Sequence, residues 1–594
     1  MHPSLQLQRL SELPATLEER PHRAATGSVE DLQRLSSAQS APLHPVFYVN
    51  LDPIGIPDQL DGMPFPVSRA FESIKALFGG PPIPTAAMAD LWPRFWPWVQ
   101  FFDLHIGYFS APNQFGEDFP LNFVHFIWPF RDEPIFSLMT ATRGVRSIIA
   151  KAWSLAVPLT INKKPRRDAA LRGVFGCMLG GMNAAGPANL AEFVEGTGGS
   201  INHLASVIIA LFEGLVPTPD TQVSPGECMF LRSLFVFIDT TDRITENSGR
   251  PTESYLLFSA LHSQGLVRVL TTVLSAVSAI RDPSRDDGTL VVHDCFVTLS
   301  IAFRTRSAHS SLEEAVQYNL LRVMLVCGNL ARVSPLLDQL LMETLPAALI
   351  YYRVVMRVDD ALHRILEADL LDSSPLSRTE AWRKFVQLAK QRLQILRNLK
   401  RASWSYSKAC DNLECSHLRD RHRFARCSGC KNRYYCSNSC QISDWKDGGH
   451  RKTCASGSNL SLNTSQDFNW RERAFMRAVL HANYLENRPW ILKDHNSFPQ
   501  RHPTEVPLVC FDYSLGSPII RVTSATRSYH AKKFGDNTEW ADMVSRAQAS
   551  RGSLHLHVIA VPNGHKEVRY LSAPLRRLPT LNTAEDGSDC VEIH

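Results

Sequence analysis

The chain is 594 residues long, 44% hydrophobic, and carries a formal net charge of +5. That length requires more than one domain, and that apolar content excludes a chain without a core. No run of about 18 apolar residues free of charge occurs, so no membrane span is expected, and so modest a charge says little about partners.

Residues 1–45 are polar and lack a charged-then-apolar leader, which predicts a largely disordered N-terminus. Residues 46–409 read as one helical domain. Its first part is rich in Pro and aromatics, as in LWPRFWPWVQFFDLHI (91–106) and FVHFIWPF (123–130). There Trp92, Trp96 and Trp98 are either a peptide-binding face or, as is commoner for such a cluster, a buried anchor. From 142 to 399 apolar residues recur at helical spacing, as in INHLASVIIALFEGLV and PLLDQLLMETLPAALIYYRVVMRV, with Gly, Pro, Ser or Asp breaks between them. This predicts a mainly α fold whose body stacks helix pairs in an armadillo-like way, although no fixed repeat period is readable. The apolar run 201–216 is interrupted by His203 and Glu213 and reads as a buried helix. The last helix, about 376–409, is strongly basic, runs straight into Cys410, and is expected to dock the next segment against the helical body.

Candidates for catalysis in this body are poor. His293, Asp294 and Cys295 are consecutive, and neighbours on regular structure do not face one another. GCMLGGMNAAG (176–186) lacks a preceding strand and fits no phosphate-binding fingerprint. Lys163-Lys164-Pro165-Arg166-Arg167 reads as a solvated loop ahead of a nuclear-import address. The chain is therefore expected not to be an enzyme.

Seven of the thirteen cysteines lie between 410 and 454, with one histidine placed like a ligand. They form four pairs: Cys410-x4-Cys415, Cys427-x2-Cys430, Cys436-x3-Cys440 and His450-x3-Cys454. Such spacing lets one turn of chain grip a zinc ion, and eight ligands make two closed tetrahedral sites. Closed sites leave no position for water, so the role of the zinc is structural. Sequential and interleaved pairing both yield one all-cysteine site and one site of three cysteines plus the histidine, so stoichiometry leaves the pairing open. The other six cysteines, Cys177, Cys228, Cys295, Cys327, Cys510 and Cys590, are scattered as reduced packing residues are. An intracellular location, nucleus or cytoplasm, follows as the expectation. From 391 to 454 there are fourteen Lys or Arg against five acids. Nearby cations favour thiolates, so this charge balances zinc–thiolate clusters on one reading and contacts nucleic acid on the other.

The order Cys-Cys, C-S-G-C, Y-C-x3-C-Q-x3-W and His-x3-Cys resembles a MYND-type zinc finger. The resemblance implies interleaved pairing, with Cys410, Cys415, Cys436 and Cys440 on one zinc and Cys427, Cys430, His450 and Cys454 on the other. It covers about fifty residues. The first pair is longer than the usual Cys-x2-Cys, and His417 lies close enough to Cys415 to compete. Gly448 and Gly449 lengthen the approach to His450. The family's finger is a protein-interaction module that takes extended proline- and leucine-containing peptides, which implies contact roles for Ser428, Gln441 and Trp445. Gln441 and Trp445 share a face if their segment is helical. The same finger occurs in a protein-lysine methyltransferase family, but that family's Asn-His-Ser core and Glu-Glu-Leu segment are missing here. A long helical body with such a finger is also a layout that resembles large fungal proteins.

A polar linker (455–466) follows, then a small α+β domain (467–580) and a loose acidic tail (581–594). Strands are expected at 506–513, 518–522, 554–562 and 568–573, the last two around the hairpin signal Asn563-Gly564. His555 and His557 would share one strand face, a metal-capable geometry without an evident third ligand.

Overall fold

A computed structural model describes residues 1–12, 15–36, 43–60, 62, 64–109, 118–161, 167–181, 187–246, 253–278, 286–305, 308–401, 407–420, 423–454, 460–462, 465–535, 537–564, 567–579 and 590–594. The chain forms two compact units, Met1–Cys295 and Phe296–His594. The helix Asp286–Ala302 runs through the division. The single helical domain expected over 46–409 is thus divided. An uninterrupted helix carries no linker composition, so the sequence shows no boundary there.

The first unit is helical. The N-terminal segment differs from the expected disorder: Ala15–Thr26 and Val29–Ser36 are helices. Leu5, Leu10, Leu32 and Leu35 are buried, and Arg23 pairs with Asp31 at 2.9 Å. A few well-spaced leucines suffice to hold short polar helices once a larger core receives them. Trp92, Trp96 and Trp98 lie on the helix Thr85–Leu104, and all three are buried. Trp98 donates its indole N–H to the Asp52 carbonyl at 3.2 Å, and Trp92 donates to Thr142 Oγ1 at 3.1 Å. Gly176 sits on the helix Arg167–Gly181, where a Cβ would lie 1.9 Å from the Trp128 ring. Its glycine therefore serves helix packing. Residues 163–166 of the basic pentapeptide lie outside the described residues. No single described helix is long and apolar enough to cross a membrane; two bent pairs, Leu190–Gly196 with Ile201–Leu215 and Leu256–Ser263 with Leu266–Ser278, meet the length and composition together.

The second unit begins with helices, of which Tyr352–Glu367 and Glu380–Arg401 are the longest before the cysteine-rich segment. That segment holds two small hairpins: β1 (Ser407–Ala409) pairs with β2 (Leu418–Asp420), and β3 (Ala425–Arg426) with β4 (Tyr434–Tyr435). The helices Asn438–Lys446, His450–Thr453 and Trp470–Arg501 follow. A mixed sheet closes the chain, made of β5 (Pro507–Asp512), β6 (Ile519–Ser524), β7 (Leu554–Pro562), β8 (Val568–Ser572), β9 (Leu575–Pro579) and β10 (Cys590–Ile593). Its order is β10-β9-β7-β5-β6, with β8 also on β7; β5 and β7 run parallel, with Val509 opposite His557. β10 lies in the expected loose tail and pairs with β9, Glu592 opposite Arg577.

Buried polar links tie the sheet region to the preceding helices. Arg392 is 0% exposed and donates to Asn483 Oδ1 at 3.3 Å and to the Gly516 carbonyl at 3.1 Å, with the Tyr513 ring beneath it. Glu472 accepts from the Tyr352 N–H at 2.6 Å and the Arg353 N–H at 3.2 Å. Gly516 has φ +89°, and a Cβ there would lie 2.6 Å from Pro346. The α+β segment is therefore part of a larger packed unit. Linker composition hides this, because the joining residues are single side chains far apart in sequence.

Candidate metal centre

The ligands stand on short elements fixed by local backbone bonds. In the second knuckle Cys427 N–H donates to the Arg433 carbonyl and Lys431 N–H to the Cys427 carbonyl, each at 3.0 Å. Lys431 takes the left-handed conformation, φ 57°. Gly429 between the two cysteines is sterically required, since a Cβ there would lie 2.6 Å from Cys454 Sγ. Ser437 caps the helix Asn438–Lys446 and accepts from the Cys440 N–H at 3.2 Å, which aims Cys440 at Cys436. The left-handed Gly449, φ 77°, turns the chain so that His450 starts the next helix facing inward.

These elements gather the eight residues into two groups, Cys410, Cys415, Cys436 and Cys440, and Cys427, Cys430, His450 and Cys454. The ligand atoms of each group lie within 4.8 Å of one another. In the first, Cys415 and Cys440 each stand 3.6 Å from Cys436, sulfur to sulfur. In the second, Cys427 Sγ lies 3.5 Å from Cys454 Sγ and 3.3 Å from His450 Nε2, and Cys430 Sγ is 3.6 Å from that same nitrogen. Tetrahedral Zn–S bonds of about 2.3 Å give sulfur–sulfur edges of roughly 3.7 Å, so the donor sets fit two zinc ions. The pairing is interleaved. His417 Nδ1 is 3.3 Å from Cys415 Sγ, but the group closes on Cys415.

The electrostatics suit a cation. Burial pushes Cys454 up to about 11, helped by the adjacent Cys427 sulfur. Burial also acts on Cys427, but the N–H groups of Cys430 and Gly429, together with the Cys454 and Cys430 thiols, outweigh it and lower that thiol. Crowded thiolates that are only partly compensated by N–H groups are what a divalent ion neutralises.

Among the described residues, the contacts that seat this segment include several from the sheet region. Asp444, buried on the helix Asn438–Lys446, accepts from Tyr435 Oη at 2.6 Å and from Arg546 at 2.7 Å. Arg546, from the helix Thr538–Ala549, also donates to the Asp411 carbonyl, and Arg433 pairs with Asp542. Arg576 of β9 donates to the Leu413 and Cys415 carbonyls at 3.4 and 3.2 Å. Burial acts upward on Asp411, but Lys408, Arg433, the Tyr434 N–H and Arg546 hold it below the usual carboxylate range. Sequence reading missed all of these partners, whose only signal is charge.

A family model for the MYND finger matches residues 410–454. The chain carries a MYND-type zinc finger. No curated protein and no solved structure matches the chain. The finger is a zinc-binding protein-interaction module by type, and this one is embedded in a far longer helical chain. Of its implied peptide-contact positions, Ser428 is exposed in the C-S-G-C knuckle and Gln441 is half-buried. Trp445, 36% exposed, sets its ring edge-on to the ligand His450, with centroids 5.7 Å apart and planes at 80°. Gln441 and Trp445 share one helix and are one turn apart. The exposed Ile442 belongs to the same helix and was not singled out in the sequence.

Elsewhere, His293 and Asp294 touch at 3.2 Å, while Cys295 is buried in the helix interior. His555 and His557 are both buried, and the structure brings His481, His495 and His594 to them. These three neighbours went unnoticed in the sequence, being scattered over more than a hundred residues.

Proposed function

We propose that the protein is a non-enzymatic adaptor, and that its finger recruits a partner through an extended proline- and leucine-containing peptide. The reading rests on Trp445, a large aromatic left open to solvent on a helix clamped by the buried Asp444–Arg546 pair. Such a rigid, partly exposed Trp is a suitable anchor for a peptide. Gln441, one turn away, offers two donors and an acceptor to an extended backbone, and Ser428 a hydroxyl. Zinc in closed four-ligand sites holds the shape and takes no part in chemistry. Seven ligand thiols need a reducing compartment, consistent with a nuclear or cytoplasmic location.

The test is affinity purification of wild type against Trp445→Ala, with partners identified by mass and zinc measured in parallel. Loss of captured partners at unchanged zinc supports the reading. Intact capture in Trp445→Ala removes the groove assignment. The alternative reading, nucleic-acid contact, draws on exposed basic residues such as Arg423, Lys431, Arg451 and Lys452. It predicts duplex binding that falls steeply with salt, and no binding at low salt would remove it.

A further inference from the structure

Three histidines distant in sequence form a file in the sheet region. His594, directly after β10, places Nε2 2.8 Å from His557 Nδ1 on β7. Its other nitrogen, Nδ1, lies 3.0 Å from His481 Nδ1 on the helix Trp470–Arg501. Beside the file, His555 stacks on His495 with ring centroids 4.0 Å apart and planes at 13°. His481, His555 and His557 are buried, and the far nitrogen of His557 and Nδ1 of His555 have no hydrogen-bond partner. Tyr484 and Phe511 pack on the His557 ring.

The geometry distinguishes proton sharing from metal binding. His594 offers a different nitrogen to each neighbour, so one ion cannot take all three rings as they stand. Among the described residues, the groups whose ligand atoms converge are those of the finger. Each contact in the file needs one N–H and one lone pair. A neutral His594 supplies one of each, so the file is satisfied with all three rings neutral.

An added proton has poor surroundings. On the helix Trp470–Arg501, Arg477 faces His594 and Arg488 meets Glu592; from β9, Arg577 faces both His555 and His495. The carboxylate facing the file, Glu592 of β10, accepts from Arg488 at 2.7 Å and from Arg577 at 2.9 Å. It is thus committed to two guanidiniums. Burial lowers all five histidines; neighbouring rings add to it at His555, His557 and His594, Arg577 at His495 and His555, and Arg477 at His594, while Glu592 opposes it at His481.

We propose that this cluster is a proton-operated latch on β10, closed while its imidazoles are neutral and opened by mild acid. When β10 leaves, His594 and its neighbours become solvated and take up protons near the ordinary histidine value of about 6.5. The closed state binds fewer protons, so it is favoured fully above that value and lost as pH falls. Each proton taken up steepens opening by up to tenfold per pH unit. Opening uncovers the edge of β9, the strand whose Arg576 holds the finger at Leu413 and Cys415.

Hydrogen–deuterium exchange of the full-length, zinc-loaded chain tests this, corrected for the intrinsic pH dependence of exchange. The readout is protection of 575–579 and 590–594 at pH values of about 7.5 and 5.5. Wild type should lose at least tenfold in protection of both strands while two zinc ions stay bound. His594→Gln and His557→Gln should flatten the pH slope, whatever their starting protection. Glu592→Gln should lower protection at both pH values and keep the slope. Unchanged wild-type protection at the lower pH overturns the latch, as does an equal slope in both histidine variants. Binding of a third zinc ion that is lost in His557→Gln would also overturn it.

Discussion

Arg546 and Asp444 meet at 2.7 Å with both side chains nearly fully buried, one from the helix Thr538–Ala549 and the other from the finger. The finger is therefore part of the fold of the second unit and is not a bead on a linker. Removing the guanidinium leaves Asp444 a buried carboxylate with Tyr435 as its remaining side-chain hydrogen bond among the described residues, and leaves the Asp411 carbonyl without that donor. Breaking such a pair from one side costs about 3–5 kcal/mol. Arg546→Ala should lower the stability of the second unit by about that much and speed zinc release to a chelator. Arg546→Lys should not restore it, because an ammonium lacks the fork that reaches both acceptors. Denaturant unfolding and chelator kinetics measure both effects.

Gly429→Ala is expected to damage one zinc site and spare the other. Its Cβ would lie 2.6 Å from Cys454 Sγ, inside the ligand sphere of the site that contains His450. Metal analysis of the pure variant should fall from two zinc equivalents towards one. His417→Ala should keep both ions, since the first group closes on Cys415. Equal zinc loss in the two variants would mean that His417 is a ligand.

The finger was legible because its ligands are a local code: pair spacing names the residues, and family resemblance supplies an interleaved pairing that ligand stoichiometry leaves open. Helical spacing likewise marked the long apolar helices. The helices Ala15–Thr26 and Val29–Ser36 were not legible, since so few buried leucines hold them and the core that receives those leucines comes later in the chain. The division after Cys295 runs through a helix, so no break in composition marks it. Arg392, Glu472 and His594 read as ordinary polar residues. The burial of Arg392 and Glu472 follows from tertiary packing, which also brings His481 and His594 together across 113 positions.

Trp98 should prove a stability residue in the first unit. Its ring is 0% exposed, stacks on Phe102 at 5.8 Å and lies against Gly55. Trp98→Ala should cost about 3–5 kcal/mol, through lost burial and the cavity left behind. Trp98→Phe should cost less, because it keeps most of the apolar area and loses the indole bond to Asp52. With two units in the chain, unfolding need not be a single transition. The effect should therefore be followed by exchange protection in the helix Thr85–Leu104, with the sheet of the second unit as an unchanged control.

His555 gives the second unit a defined response to acid. Burial, followed by His495 and Arg577, lowers it to about 3 in the folded chain. In the unfolded chain it returns to the ordinary value of about 6.5. Above that value both states are neutral, and His555 adds no pH dependence. Below it the unfolded state binds a proton that the folded state refuses. Stability should then fall by up to about 1.4 kcal/mol per pH unit until the folded value is reached. His555→Gln should remove that share of the slope and leave the share from His495, itself lowered to about 4. Urea unfolding across this pH range, with zinc content checked at each point, measures the slope; one that is identical in wild type and His555→Gln would show that His555 is not held neutral.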